Sequence, residues 1–329
     1  MLARFHLSNY KKDTQQQKNV GIIVMVLTIG TDCSGIEAPI AALEKLKKPF
    51  QHRWSCDNDP FVKDSITANY KPEIFFDDIK KRNHAKLPKV DLYVCGFPCQ
   101  PFSHQGKKYG MKDARANIML ECISVIKAVK PKVFILENVK TFETIEDGAP
   151  YKYLISALNS IGIYNIHHDV YNTKDYGLPQ HRERIYFVGI QKSCQITPFY
   201  KAPKQPCKKL ESILQDVSTH NMPPKMNANK VINRLKIDTK KNYVVSCAGF
   251  GTAMLGCCPT ITCTTPMYMT KYKRYLNVKE LMQLQGFSPR FKTVVSTRQL
   301  RKQIGNAMSV NVLCAILNVI FETTCLVKS

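Results

Sequence analysis

The sequence predicts an α/β protein built on a doubly wound sheet, with a smaller and less regular second region. Three observations carry this expectation. Between Val20 and Gly189 short apolar runs alternate with amphipathic stretches, the pattern of βα units in a parallel sheet. After Gln191 the alternation gives way to Pro198, Pro203, Pro206, Pro223 and Pro224 among many lysines. The 329 residues are 44% hydrophobic, enough to bury a core and to exclude disorder for the bulk of the chain.

Taken in order, residues 1–24 read as an N-terminal extension. Lys11, Lys12, Gln15, Gln16 and Gln17 fall in no helical or alternating period, and Met25 is a candidate start. The apolar run 20–29 is about half of the roughly 20 residues that span a bilayer and carries no cleavage-site pattern, so it reads as a buried strand at 22–29. Further strands are expected at 92–95, 133–137, 163–171 and 185–190, where apolar and β-branched residues recur, with a weaker one at 52–56. Helices are expected at 36–47, 60–69, 116–129 and 151–161. A helical pattern returns at 278–285, and the apolar stretch 310–326 reads as a final helix that rejoins the first domain. Residues 25–190 thus form the first domain, 191–270 a second, and 271–329 a return segment completing the first.

Composition bounds the partners. Lys and Arg number 48 against 25 Asp and Glu, a net charge of +23, which favours a polyanion. The 13 cysteines are scattered singly apart from Cys257-Cys258, with no paired CxxC units, so no metal site is expected and a reduced intracellular compartment fits.

The chemistry-bearing residues lie at strand ends. Gly96-Phe97-Pro98-Cys99-Gln100-Pro101-Phe102-Ser103 follows the strand 92–95, placing a thiol at the carboxyl edge of an open sheet, where ligands bind. Glu137 closes the strand 133–137, and if the two strands are neighbours a nucleophile and an acid/base group meet in one cleft. The run Gln180-His181-Arg182-Glu183-Arg184 brings two guanidinium groups and a carboxylate to the rim of the same sheet, although taken alone such a run is more often a solvated charged face.

Together these segments resemble the cytosine-5-specific DNA methyltransferase family, from about Leu27 to the end of the chain. The catalytic loop appears as Gly96 to Ser103 with Gly106, the glutamate motif as Glu137-Asn138-Val139, and the arginine motif as residues 180–184. Arg274-Tyr275-Leu276-Asn277, with Glu280 and Leu284-Gln285-Gly286-Phe287, is similar to the ninth motif, and residues 303–310 to the tenth. The resemblance implies an S-adenosylmethionine-dependent, Rossmann-like sheet, a target-recognition domain at 191–270, and a monomer acting on double-stranded DNA, with no metal and no membrane. It implies a catalytic group of Cys99, Glu137, Arg182 and Arg184. Cys99 would add to carbon 6 of a flipped-out cytosine so that carbon 5 becomes nucleophilic, Glu137 would hold the proton at ring nitrogen 3, and Arg184 would contact the exocyclic oxygen.

The same resemblance assigns Cys33, Ser34, Gly35, Ile36, Asp57, Asp78, Pro98 and Asn306 to S-adenosyl-L-methionine. Cys33 stands where many members have an aromatic residue, which puts affinity in doubt rather than identity. Ser103, Gln105, Lys107 and Lys108, on the loop after the nucleophile, are assigned to DNA. Two other readings stay open. One is a tRNA cytosine-5 methyltransferase, whose branch carries a Cys-Phe-Thr segment where this chain has Val245-Ser246-Cys247-Ala248. The other is an inactive DNA-binding relative, which would usually lack the thiol or the glutamate.

Overall fold

The computed structural model describes residues 26–98, 116–248 and 250–326. Cys99, Ser103, Gln105, Lys107, Lys108 and the N-terminal extension therefore lie outside the described residues. The central sheet has seven strands: β1 (Leu27–Asp32), β2 (Phe50–Cys56), β3 (Ile74–Phe76), β4 (Leu92–Cys95), β5 (Val133–Val139), β6 (Tyr164–Asn172) and β7 (Glu183–Gln191), in the spatial order β3-β2-β1-β4-β5-β7-β6. The central strand β4, Leu-Tyr-Val-Cys, is buried throughout, which is why it reads as one unbroken apolar run.

Helices α1 (Ala38–Lys45), α2 (Pro60–Asn69), α3 (Ala116–Val129) and α4 (Ala149–Asn159) connect the strands. The start of α2 is set locally: Asp59 accepts a hydrogen bond from Phe61 N at 3.0 Å, and Pro60 fills a first-turn position that needs no N–H. Alternation along β5 divides the core between the two faces. Val133 and Ile135 pack with residues of α1, α2 and the last helix, α8 (Val310–Thr323), while Phe134 and Leu136 pack with residues of α3 and α4.

One expectation is corrected here. The sheet is not all parallel, because β7 runs antiparallel to both β5 and β6. No α-helix separates β6 from β7; the connection 173–182 holds one short helical turn at Thr173–Asp175, is too short for a crossover and turns through Gly177 at φ 86°. The reversal brings the start of β7 to the edge where the parallel strands end, with Arg184 opposite Val139.

Two elements outside the second region escaped the sequence reading. β3 is only three residues long. α7 (Thr297–Asn306) is polar over most of its length yet buries Leu300, Gln303 and Ile304. The region after Gln191 is also more regular than expected. It holds α5 (Met226–Arg234) and a four-stranded antiparallel sheet of β8 (Tyr243–Ser246), β9 (Ala253–Leu255), β10 (Met267–Met269) and β11 (Arg274–Tyr275), in the order β11-β10-β8-β9. Its small core is formed by Ala228, Val231, Ile232, Val245, Cys247 and Tyr268. β11 lies past residue 270, so strand pairing in this sheet runs into the stretch expected to return to the first domain. The chain then passes through α6 (Val278–Leu284) and α7 to α8, which lies against α1, with Lys45 Nζ donating to Asn311 Oδ1 at 2.6 Å.

Candidate active site and cofactor cradle

The carboxyl ends of β1, β2, β4 and β5 and the start of β7 meet at one edge. Gly96-Phe97-Pro98, the lead-in to Cys99, is pinned there: Asn138 Nδ2 donates to Phe97 O at 3.3 Å. A Cβ on Gly96 would fall 2.8 Å from the Met308 side chain and 3.3 Å from Glu137 Oε2, so only a hydrogen fits between the carboxylate and the tenth motif. This contact places Glu137 beside the backbone three residues before the thiol.

Glu137 is 7% exposed. Burial raises its pKa above the ordinary carboxylate value, and the positive charges of Arg184 and Arg182 oppose that rise without cancelling it. Arg184 Nε stands 3.3 Å from Glu137 Oε1, an ion-pair distance, but that oxygen accepts no aligned hydrogen bond from any described residue. The site therefore holds a carboxyl group inclined to keep its proton, a half-buried guanidinium beside it, and an unfilled acceptor.

Arg182 does something different. Its head is buried and wrapped by backbone carbonyls from distant segments: Nη1 donates to Ile261 O at 3.0 Å, and Nη2 donates to Gly305 O at 3.0 Å and to Ala307 O at 2.9 Å. Burial lowers its pKa to about 9, with the like charge of Arg184 adding to the effect and Glu137 opposing it, so the group remains cationic at neutral pH. Gln180 and Gln285 extend this bracket. Gln180 Nε2 donates to Leu284 O at 2.9 Å, and Gln285 Nε2 donates to Ile304 O at 2.8 Å and Ala307 O at 3.1 Å. The backbone packs tightly here, since a Cβ on Gly305 would sit 2.4 Å from Cys263 N. Replacing Arg182 by methionine is expected to cost about 3–5 kcal/mol, because three buried carbonyls and Glu137 lose their counterpart. A urea unfolding midpoint within error of the native one would contradict that assignment.

The ninth-motif residues are structural in the same sense. Arg274 makes a two-pronged ion pair with Glu280 at 2.7 and 2.9 Å, and Glu280 forms a capping box with Asn277 at the start of α6.

A cavity lies at the same edge, lined by Asp32 at the end of β1, by Cys33, Ser34, Gly35 and Ile36 from the loop that follows, by Gly96, and by Asn306, Ala307 and Met308 from the return segment. The tenth motif thus does fold back beside Ile36. Cys33 (φ 48°), Gly35 (φ 53°) and Glu37 (φ 57°) all take left-handed backbone, a strained run for the two with side chains. Buried bonds hold it. Glu37 Oε1 accepts from Thr31 Oγ1 and Ser55 Oγ, each at 2.6 Å, and Asp57 Oδ2 accepts from Gly35 N at 3.0 Å. Burial raises the Asp57 pKa, while bonds from Asp59 N and Gly35 N pull it down. Asp57, Asp78 and Pro98 do not line this cavity; Asp57 stands behind the loop through its bond from Gly35 N, and Asp78 caps a short turn by accepting from Lys80 N at 2.9 Å. Glu37 was missed by sequence reasoning, since its left-handed turn and its two hydroxyl donors come together only in the fold.

The sequence profile of the C-5 cytosine-specific DNA methylase family matches residues 32–250 and 258–322. The chain belongs to that family. Among its relatives, the Type II methyltransferase M.HaeII of Haemophilus aegyptius is 32% identical over 281 residues, covering 82% of this chain and 84% of the relative. The Type II methyltransferase M1.ScrFI of Lactococcus lactis subsp. cremoris is 32% identical over 301 residues, covering 85% and 73%. The fold is shared with the S. pombe Dnmt2 methyltransferase, at a TM-score of 0.67 and 17% identity over 90% of this chain and 98% of that one. As a member of this family, the protein brings Gly96–Pro98, Glu137 and Arg184 together at the strand edge just described, with Gln285, Gly305 and Ala307 packed behind them around Arg182.

Proposed function

We propose that the protein transfers the methyl group of S-adenosyl-L-methionine to carbon 5 of a cytosine rotated out of duplex DNA, through a transient bond from Cys99 to carbon 6. The observation that carries this reading is the buried Glu137 carboxyl, raised in pKa and flanked by Arg184, against the backbone that leads into Cys99. A carboxyl group whose pKa is raised holds a proton more readily than an exposed one, which suits ring nitrogen 3, where negative charge builds as the thiolate adds. Arg184 suits the exocyclic oxygen, and its charge favours the thiolate form of a nearby cysteine. In the proposed domain plan the seven-stranded sheet with α8 is catalytic, and the four-stranded sheet reads the target.

The cradle suits S-adenosyl-L-methionine, which supplies an electrophilic methyl group when bound. Gly35 faces open space, as a Cβ built there meets no atom within 4 Å. Ser34, Gly35 and Ile36 would line the cofactor, Asp57 would accept from ribose hydroxyls, and Asn306 would close the far wall. Cys33 offers a small side chain packed against the core around Cys95, in place of an aromatic face.

Duplex DNA is supported by the net charge of +23 and by the exposed Lys208, Lys209, Lys225, Lys230, Lys236 and Lys240 of the second region. Lys201 and Lys204 are instead paired with Asp169 and Asp175. The deciding experiment offers the protein labelled S-adenosyl-L-methionine with either duplex DNA or total tRNA. Label is expected in 5-methylcytosine of the duplex, with binding that weakens steeply as salt rises. Label in tRNA alone would select the RNA reading, and label in neither would select the inactive relative.

A further inference from the structure

The carboxylate of Asp32, the last residue of β1, is wholly buried and receives three donors. Tyr93 Oη donates at 2.7 Å and Trp54 Nε1 at 3.3 Å, both from neighbouring strands. The third is the Arg82 guanidinium, itself 5% exposed, and it alone comes from outside the sheet. Arg82 directly follows the short helical turn 79–81 that Asp78 caps. Its guanidinium also lies 5.0 Å from the centre of the Phe76 ring, at the start of the same segment. Phe76 O in turn accepts from Asp57 N at 3.2 Å. One side chain thus ties the segment carrying Asp78 to the residue next to Cys33.

The pair is poorly explained by stability alone. Arg82 Nε and Nη1 are buried and meet no acceptor among the described residues. A buried ion pair with unfilled donors repays little of its desolvation cost, and apolar residues of similar volume often serve better. What a charged pair does supply is a fixed distance and direction between two segments.

We propose that Arg82 is a positioning residue for the cofactor: through Asp32, which itself lines the cavity, it locks the segment 76–82 against the end of β1, so that the wall formed by Asp32 and the loop 33–36 is preformed. This rests on the cofactor reading above. The test compares Arg82→Gln, Arg82→Lys and Trp54→Phe by calorimetric binding of S-adenosyl-L-methionine, thermal midpoint and steady-state methylation. Arg82→Gln is expected to raise the cofactor Kd and KM by about 10- to 100-fold, the usual effect of losing a charge-assisted contact, with kcat at saturating cofactor within about threefold of native. Arg82→Lys keeps the charge without the fork and is expected to recover part of that affinity. Trp54→Phe removes a donor to Asp32 without touching the turn, so it lowers the midpoint and leaves Kd within about twofold. Equal Kd increases in Trp54→Phe and Arg82→Gln would mean general softening and overturn the proposal, as would an unchanged Kd in Arg82→Gln. Should Arg82→Gln fail to fold, a native Kd in Arg82→Lys together with a lowered midpoint overturns it equally. Native protein that does not bind S-adenosyl-L-methionine would instead remove the cofactor reading itself, a result visible before any variant is measured.

Discussion

Cys99→Ala is expected to lose methyl transfer by on the order of 10⁴-fold or more, because in the proposed mechanism the thiol is not an aid to the reaction but the group that makes it chemically accessible. Carbon 5 of cytosine is too poor in electrons to attack a methyl sulfonium. Adding sulfur at carbon 6 converts the ring to an enamine, which places electron density on carbon 5. After transfer, the hydrogen on carbon 5 leaves as a proton and the sulfur is eliminated. With 5-fluorocytosine in the duplex there is no hydrogen to remove, so the sulfur–carbon bond persists. Native protein is therefore expected to give a complex with fluorinated duplex that survives denaturing electrophoresis, and Cys99→Ala and Cys99→Ser to give none. A trapped species in either variant, or label transfer near the native rate, would assign the chemistry to another residue.

Glu137→Gln is the second large effect, with an expected fall of about 10²- to 10⁴-fold in kcat, the range for removing a positioned acid. Its stability should move the other way. Burial holds the Glu137 pKa above the ordinary value, so the folded protein binds this proton more tightly than the unfolded chain does. The stability contributed by that proton is present at low pH and is lost as pH rises through the raised pKa. Above the ordinary carboxylate range the buried carboxyl is thus a cost to folding that glutamine does not carry. The variant is expected to melt at or above the native temperature near pH 7, and its advantage should shrink as pH falls toward the ordinary carboxylate range. A variant that melts well below the native protein at pH 7 would show that the Arg184 pair outweighs desolvation, and the proton-holding role would fall with it.

How much was legible beforehand differs from residue to residue. The strand β4 and the helices α2 and α3 were legible to the residue, because uninterrupted burial or a local cap leaves its mark in the sequence itself. α7 was not: its ten residues are mainly polar, and its burial of Gln303 depends on Ser65 Oγ and Phe61 O, 238 and 242 positions away. The second sheet was hidden for a related reason, since strands of two to four residues carry too little alternation to stand out from loops.

The sequence by itself determined the chemistry: a thiol after one strand, a carboxylate ending the next, and an arginine motif, all in family order. Only the tertiary structure decided their geometry. The reversal of β7 sets Arg184 opposite Val139, next to Glu137; a parallel β7 would leave it at the far edge of the sheet. It also separated two arginines that look alike in the chain. Arg184 sets its guanidinium beside Glu137, whereas Arg182 directs its donors to carbonyls 79, 123 and 125 positions away. The physical reason is one of range. Periodicity and capping act within a few residues and are written locally, while the satisfaction of a buried charge depends on which distant backbone the fold brings to it.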